Sequence, residues 1–360
     1  MFDFIVWGID PEIFAIGPIH VRWYGLLFAS SFLIGHRLML SIYKEENLEE
    51  KALDGLVIYG IVGTVIGARL GHCLFYEPEE YLAHPLRILE IWNGGLASHG
   101  AGIGIICALF LYQKKYKIKN FLWILDRVAM VVAIAGALIR FGNYMNSEII
   151  GNPTNASTGV VFTREVQDLF NAYEDVMDIS ITKIDQITKV DEQNYQNLDL
   201  NISYSTAIYA NQNEVSETLT RNLLPAVQRS ARFQRHLKLI PDSEITYKVT
   251  PNKIVATIPA LGLPRHPAQL YESFSCILLF GLLWAIYLKY KSETPNGLLF
   301  GIFCTWTFIL RFFYEFIKEV QVLKELEMTL NIGQRLSIPL VIIGLFFIVR
   351  SFLMNKKQHA

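Results

Sequence analysis

The sequence is poor in charge. Asp, Glu, Lys and Arg make up 18% of its 360 residues, against about a quarter in an ordinary soluble domain. The net charge of −1 leaves no global excess with which to hold nucleic acid. Cysteine is scarce as well. Cys73, Cys107, Cys276 and Cys304 each lie inside an apolar block. None forms a CxxC pair or a metal-type spacing with histidine, so neither a disulfide framework nor a metal site is expected. The amino-terminal stretch MFDFIVWGIDPEIFAIGP lacks the basic region and cleavage site of a signal peptide. The first apolar block is expected to act as an uncleaved insertion signal. No internal repeat suggests the paired halves of a transporter, and no low-complexity run is present.

Apolar residues are abundant, at 52%. They are gathered in blocks of roughly 20 residues, the length that crosses a bilayer core as a helix. Seven such blocks predict an all-α polytopic membrane protein with seven transmembrane helices. The spans are expected near 21–42, 53–76, 95–112, 122–143, 268–288, 296–317 and 332–353. Short loops decide orientation through their Lys/Arg content. Lys44, Lys51, Lys114, Lys115, Lys117, Lys119, Lys289, Lys291, Arg350, Lys356 and Lys357 fall on one side. Only Arg87, Lys318, Lys324 and Arg335 fall on the other. The richer side is assigned to the cytoplasm, which puts the N-terminus outside and the C-terminus inside.

The polar stretch 151–265 cannot span and lies on the N-terminal side. It is long enough to be a small extracytoplasmic α+β insert. The expected organisation is therefore helices one to four over 1–150, the insert over 151–265, and helices five to seven over 266–360. Within the insert, 214–239 reads as a basic amphipathic helix whose apolar positions are Leu219, Leu223, Leu224, Val227, Ala231 and Phe233. SEITYKVTPNKIVATI reads as a hairpin around Thr250-Pro251-Asn252.

An ionisable residue at membrane depth costs about 2.5–3.5 kcal/mol on insertion scales, so it needs a partner or a function. The end of helix four reads Arg140-Phe141-Gly142-Asn143-Tyr144-Met145-Asn146-Ser147-Glu148. Arg140 and Asn143 share a helix face. An arginine fork with amides beside it suits a phosphate, although a snorkelling arginine with polar caps accounts for the same residues equally well. Near helix three, WNGGLASHGAG offers close backbone approach at its glycines and a proton acceptor in His99. On the residues alone, a structural histidine is the commoner explanation. Arg311 and Glu315 are an i,i+4 pair on helix six, either self-neutralising or ligand-binding. Helix two carries Arg69, and helix five opens with Gln269, Tyr271 and Glu272. Together, Arg140, Arg311 and Arg69 bring positive charge to the outer half of the membrane, which suits an anionic lipid headgroup.

RFGNYMNSEIIG at 140–151 closely resembles the signature of bacterial prolipoprotein diacylglyceryl transferases. GGLASHG resembles that family's glycine-rich segment with its histidine. RWYG at 22–25, HPAQLYE at 266–272, RFFYEF at 311–316 and GQRLSIP at 333–339 resemble further family blocks, in family order. Ile139, Tyr144 and Ala101 depart from the usual residues, and the stretch 153–258 is longer than the family leads one to expect.

The resemblance implies an enzyme of the bacterial cytoplasmic (inner) membrane that begins lipoprotein biosynthesis. Such a transferase moves the diacylglyceryl group of phosphatidylglycerol to the lipobox cysteine of a prolipoprotein signal peptide. It makes a thioether and releases glycerol phosphate. No metal or nucleotide cofactor and no nucleic-acid partner are implied. His99 is expected to take the thiol proton, and Arg140 and Arg311 to stabilise the leaving phosphate. Tyr24, Arg69, Asn143, Glu148, Gly151 and Tyr271 are expected to bind substrate, with Glu315 positioning Arg311. Lipid or solute translocation, and a noncatalytic scaffold whose insert docks partners, remain the alternatives on the residues alone.

Overall fold

A computed structural model describes residues 4–17, 19–90, 94–95, 97–319 and 328–358. Trp92, Asn93 and Leu96 of the glycine-rich segment and Lys324 lie outside the described residues. The chain divides into two compact units. One gathers Met1–Leu27, Ile139–Ser273 and Phe313–Asn331; the other gathers Phe28–Leu138, Phe274–Phe312 and Ile332–Ala360.

Seven helices among the described residues fall where apolar blocks predict them. They are α1 (Trp23–Glu45), α2 (Glu50–Phe75), α3 (Ser98–Tyr116), α4 (Phe121–Met145), α5 (Ala268–Tyr290), α6 (Leu298–Tyr314) and α7 (Ile332–Gln358). Five of them, α1, α2, α4, α5 and α7, are long and apolar enough to cross a membrane. α6 is apolar but shorter, at 17 residues. α3 carries Lys114 and Lys115 in its last turn.

In the second unit α2 and α3 pack backbone to backbone. Gly63, Gly67 and Gly71 on α2 face Gly100 and Gly104 on α3, each series spaced by four residues. A Cβ on Gly67 would stand 2.4 Å from the Gly100 carbonyl oxygen, and one on Gly104 would stand 2.2 Å from that of Gly63. Only glycine permits this approach, the small-residue packing familiar from membrane helices. Elsewhere in this unit, buried ions knit loops to helices. Arg127 is fully buried and its Nη2 donates to Glu46 Oε1 at 2.7 Å; Trp123 Nε1 donates to Glu46 Oε2 at 2.8 Å. Asp126, also fully buried, accepts from the backbone N–H groups of Gly297 (2.7 Å) and Phe300 (2.8 Å). It therefore caps α6 from a neighbouring helix, serving donors that the first turn cannot satisfy internally.

The first unit holds the sheets. Before α1, β2 (Glu12–Ile16) and β3 (Ile19–Arg22) form an antiparallel hairpin, whose second strand takes the first two residues of the span expected from 21. β1 (Ile5–Trp7) runs parallel to β4 (Val160–Phe162). The insert is built on an antiparallel sheet of β5 (Asp178–Val190), β6 (Gln193–Ser205), β7 (Leu237–Leu239), β8 (Thr246–Val249) and β9 (Lys253–Gly262), in the order β5-β6-β9-β7 with β8 also on β9. Alternate residues face one side. Leu198, Leu200, Ile202 and Tyr204 of β6, with Ile254, Ala256, Ile258 and Ala260 of β9, form its core with Val215, Leu219, Val227 and Phe233.

The hairpin around Thr250-Pro251-Asn252 forms as expected. The single helix expected over 214–239 does not. The chain is helical from Gln212 to Arg229, extended at Ser230, helical again over Ala231–His236, and then enters β7. Over Leu219–Leu223 the helix widens to a π turn just before Pro225, where Leu224 N–H bonds the Leu219 carbonyl. Proline clashes with a regular turn and cannot donate to it, so the widened turn accommodates it. Ala231 is exposed rather than part of the apolar face.

Candidate functional site

The first unit brings together the residues around the end of α4. Ser147 and Ile149 have positive φ (55° and 56°), which ends the helix in a tight reversal. The reversal lets Glu148 N–H donate to the Asn143 carbonyl at 2.9 Å. It also turns the Glu148 carboxylate back to accept from Asn143 Nδ2 (3.3 Å) and Asn146 Nδ2 (3.2 Å). Gln269, at the start of α5, donates to the Glu148 carbonyl. Asn143 and Glu148 are thus fixed to one another, as their adjacency in sequence suggests.

Arg140 lies one turn earlier. Its Nε meets Glu272 Oε2 at 2.6 Å, and its side chain is 27% exposed. Glu272 thus meets the guanidinium at its Nε edge. The other oxygen of Glu272 pairs with Lys318, whose Nζ is also 3.8 Å from Glu315 Oε1. Glu315 accepts from Asn331 Nδ2 at 2.9 Å. In sequence Glu272 reads only as a costly residue at membrane depth and Lys318 only as a loop charge. The spacing of Glu315 and Lys318, three apart after Arg311, was the available signal. The expectation of Glu315 on a helix face is corrected: α6 ends at Tyr314, and Glu315 stands in the turn beyond it.

Gly151 has a steric reason to be glycine. A Cβ there would lie 2.6 Å from His266 Cβ and 2.8 Å from the Ile317 carbonyl oxygen. The Gly151 N–H donates to the His266 carbonyl at 2.9 Å, and Asn152 N–H donates to Ile317 at 2.7 Å. Residues 150–152 therefore form the middle rung between 265–266 and 317–319. Tyr24, in the first turn of α1, packs against Gly142, where a Cβ would be 3.0 Å from Tyr24 Cδ2. Tyr271 OH reaches Thr158 Oγ1 (2.8 Å) and His266 Nδ1 (3.3 Å). Burial lowers the His266 pKa and favours its neutral ring.

The second unit holds His99, Arg69 and Arg311. His99 is exposed on the first turn of α3, with the rings of Phe75 and Tyr76 at 5.6 and 5.7 Å. Gly94 and Gly95, both at positive φ (80° and 71°), form the approach to that turn. Arg69 is 3% exposed, and its guanidinium donates to four carbonyls: Ile88 (2.9 Å), Gly94 (2.6 Å), Gly95 (3.3 Å) and Arg87 (2.6 Å). It ties down the loop that leads to His99. Arg311 is exposed on the last turn of α6.

A protein-family model described as prolipoprotein diacylglyceryl transferase matches residues 11–350. Among curated proteins, the chain is similar to phosphatidylglycerol–prolipoprotein diacylglyceryl transferases of several bacteria. That of Tolumonas auensis is 36% identical over 96% of this chain and 97% of the relative. That of Chloroherpeton thalassium is 34% identical over 97% and 95%, and that of Porphyromonas gingivalis is 32% identical over 97% and 95%.

Proposed function

Because the chain belongs to the prolipoprotein diacylglyceryl transferase family, we propose that it transfers the diacylglyceryl group of phosphatidylglycerol to a prolipoprotein. The acceptor is the thiol of the lipobox cysteine. The sulfur–carbon thioether bond forms as the glycerol C–O bond breaks, and glycerol phosphate leaves with the electron pair. No nucleic acid takes part. The observation that carries the reading is Arg140, 27% exposed and held by Glu272 through Nε beside the Asn143–Glu148 pair. A phosphate oxygen pair matches that fork in a partly desolvated setting.

Each residue has a role in this chemistry. Arg140 and Arg311 stabilise charge growing on the phosphate, which a preorganised, water-poor site does best. Asn143, Glu148 and Gly151 shape the headgroup pocket, with Tyr24 and Tyr271 beside it. His99 takes the thiol proton, since the thiolate is the nucleophile. Glu315 positions Arg311, and Arg69 acts by holding the loop before His99. All seven helices α1–α7 span the bacterial cytoplasmic membrane, N-terminus outside and C-terminus inside. Residues 1–150 form the first four spans, 151–265 an extracytoplasmic insert, and 266–360 the last three spans. A cysteine placed in the insert should react with an impermeant maleimide from outside the cell; reaction only after lysis would overturn this orientation.

The function is tested with purified protein in micelles, phosphatidylglycerol and a synthetic lipobox peptide, followed by mass spectrometry. The peptide should gain one diacylglyceryl mass, and a peptide with serine for the cysteine should gain none. A folded protein that modifies neither peptide refutes the reading.

A further inference from the structure

Lys318 is 10% exposed, and the two carboxylates beside it, Glu272 and Glu315, are 11% and 15% exposed. Arg140 and Lys318 share Glu272, one on each oxygen. Two cations and two carboxylates are therefore strung together at low exposure, where charges interact strongly and screening is weak. One carboxylate divided between two cations leaves Arg140 only partly neutralised. If Lys318 were absent, the group around Arg140 would carry one more negative charge.

The segment bearing Lys318 is held from its other face. Residues 317–319 run beside 150–152, with Glu319 N–H on the Ile150 carbonyl at 3.3 Å. Alternation along an extended chain sends neighbouring side chains to opposite sides. Lys318 goes to Glu272, and Glu319 goes to two arginines. Arg235 Nε meets Glu319 Oε2 at 2.7 Å, and Arg265 Nη1 meets Glu319 Oε1 at 3.2 Å. Arg265 is 4% exposed and also donates to the carbonyls of Gly151 (3.1 Å) and Arg235 (2.8 Å). Arg235 belongs to the short helix before β7, and its Nη1 continues to Glu165 Oε1 at 3.2 Å. The insert thus grips the residue next to Lys318.

Resting on the anion-site reading above, we propose that Lys318 is a positioning residue that keeps Arg140 available to a lipid phosphate, and that the insert sets its place through the Glu319 clamp. Lys318 acts through Glu272 and does not touch substrate. This gives the insert a task in the chemistry: it fixes the register of 317–319 and hence the charge balance at Arg140.

The test measures binding of phosphatidylglycerol and of phosphatidylcholine to the full-length protein in detergent, for the parent and four variants. Lys318→Met should weaken phosphatidylglycerol binding roughly tenfold, as expected for one charge a few ångströms away at an intermediate dielectric, and leave phosphatidylcholine binding unchanged. Lys318→Arg should restore it. Lys318→Met combined with Glu272→Gln returns the parent's net charge and should regain most of the loss. Glu319→Gln should give an intermediate loss. The proposal is overturned if Lys318→Met binds phosphatidylglycerol like the parent, or if both lipids weaken together and Lys318→Arg does not rescue. Peptide modification is assayed alongside: a parent that transfers nothing refutes the proposed function, while the binding pattern alone decides the role of Lys318.

Discussion

At the scale of single residues, the site depends on side chains whose partners are fixed before any substrate arrives. Arg140 is anchored at one edge by Glu272. Replacing it with alanine should lower kcat/KM for peptide modification by about 10²–10³, the usual effect of losing one preorganised charge-stabilising donor. Arg140→Lys should recover little of this, because a point charge cannot reproduce a planar fork; full activity in either variant would contradict the clamp. Gly151→Ala forces a methyl to within 2.6 Å of His266. It should separate the rung 150–152 from 266 and 317, and be read as lost transfer together with a lowered unfolding temperature. Much at this scale was legible in sequence, because Arg140, Asn143, Glu148 and Gly151 are close neighbours in one stretch. Lys318 was not. Its partner Glu272 lies 46 positions away, and no periodicity links a residue after one helix to a residue inside another.

At the scale of elements, the helices were readable because bilayer thickness sets their length and apolarity. What holds them together was less so. The glycine series at 63, 67 and 71 and at 100 and 104 has visible spacing, yet only the fold pairs one with the other. The Glu46–Arg127 pair joins the end of α1 to α4 across 81 positions, with both side chains at 1% exposure or less. Glu46→Ala would leave a buried guanidinium without its counter-charge, which costs about 3–5 kcal/mol. Thermal unfolding in detergent should show that loss, and an unchanged midpoint would argue that the arginine finds another partner. The insert was misjudged where chain chemistry interrupts a pattern. The apolar spacing over 214–239 is helical throughout, but Pro225 and the extended backbone at Ser230 divide it. The long hairpin of β5 and β6 was missed because β5 is polar and buries only one of its thirteen residues, which blunts its alternation.

At the scale of the whole molecule, the insert and the site segments belong to one compact unit, tied together through Glu319, Arg235 and Arg265. The same network includes Glu165, which faces His236, Arg235 and Arg232. The hydrogen bond from His236 is the main reason its pKa lies below the ordinary carboxylate value of 4.5. A depressed carboxylate stabilises the fold above its unfolded pKa, and that contribution is lost as pH falls through the folded value. Protection of the amides in 231–239, taken as exchange relative to the intrinsic rate at each pH, should therefore fall below about pH 4.5, and Glu165→Gln should remove most of that change. Protection that stays flat with pH in the parent would contradict this coupling.

The central claim is a transfer in which one lipid is split between two products. Its most direct measurement uses phosphatidylglycerol labelled separately in its headgroup and in its acyl chains, incubated with the purified protein and the lipobox peptide. Acyl label should appear on the peptide and headgroup label in free glycerol phosphate, in equal amounts. Headgroup released without acyl label on the peptide, or neither product from a folded protein, would contradict it.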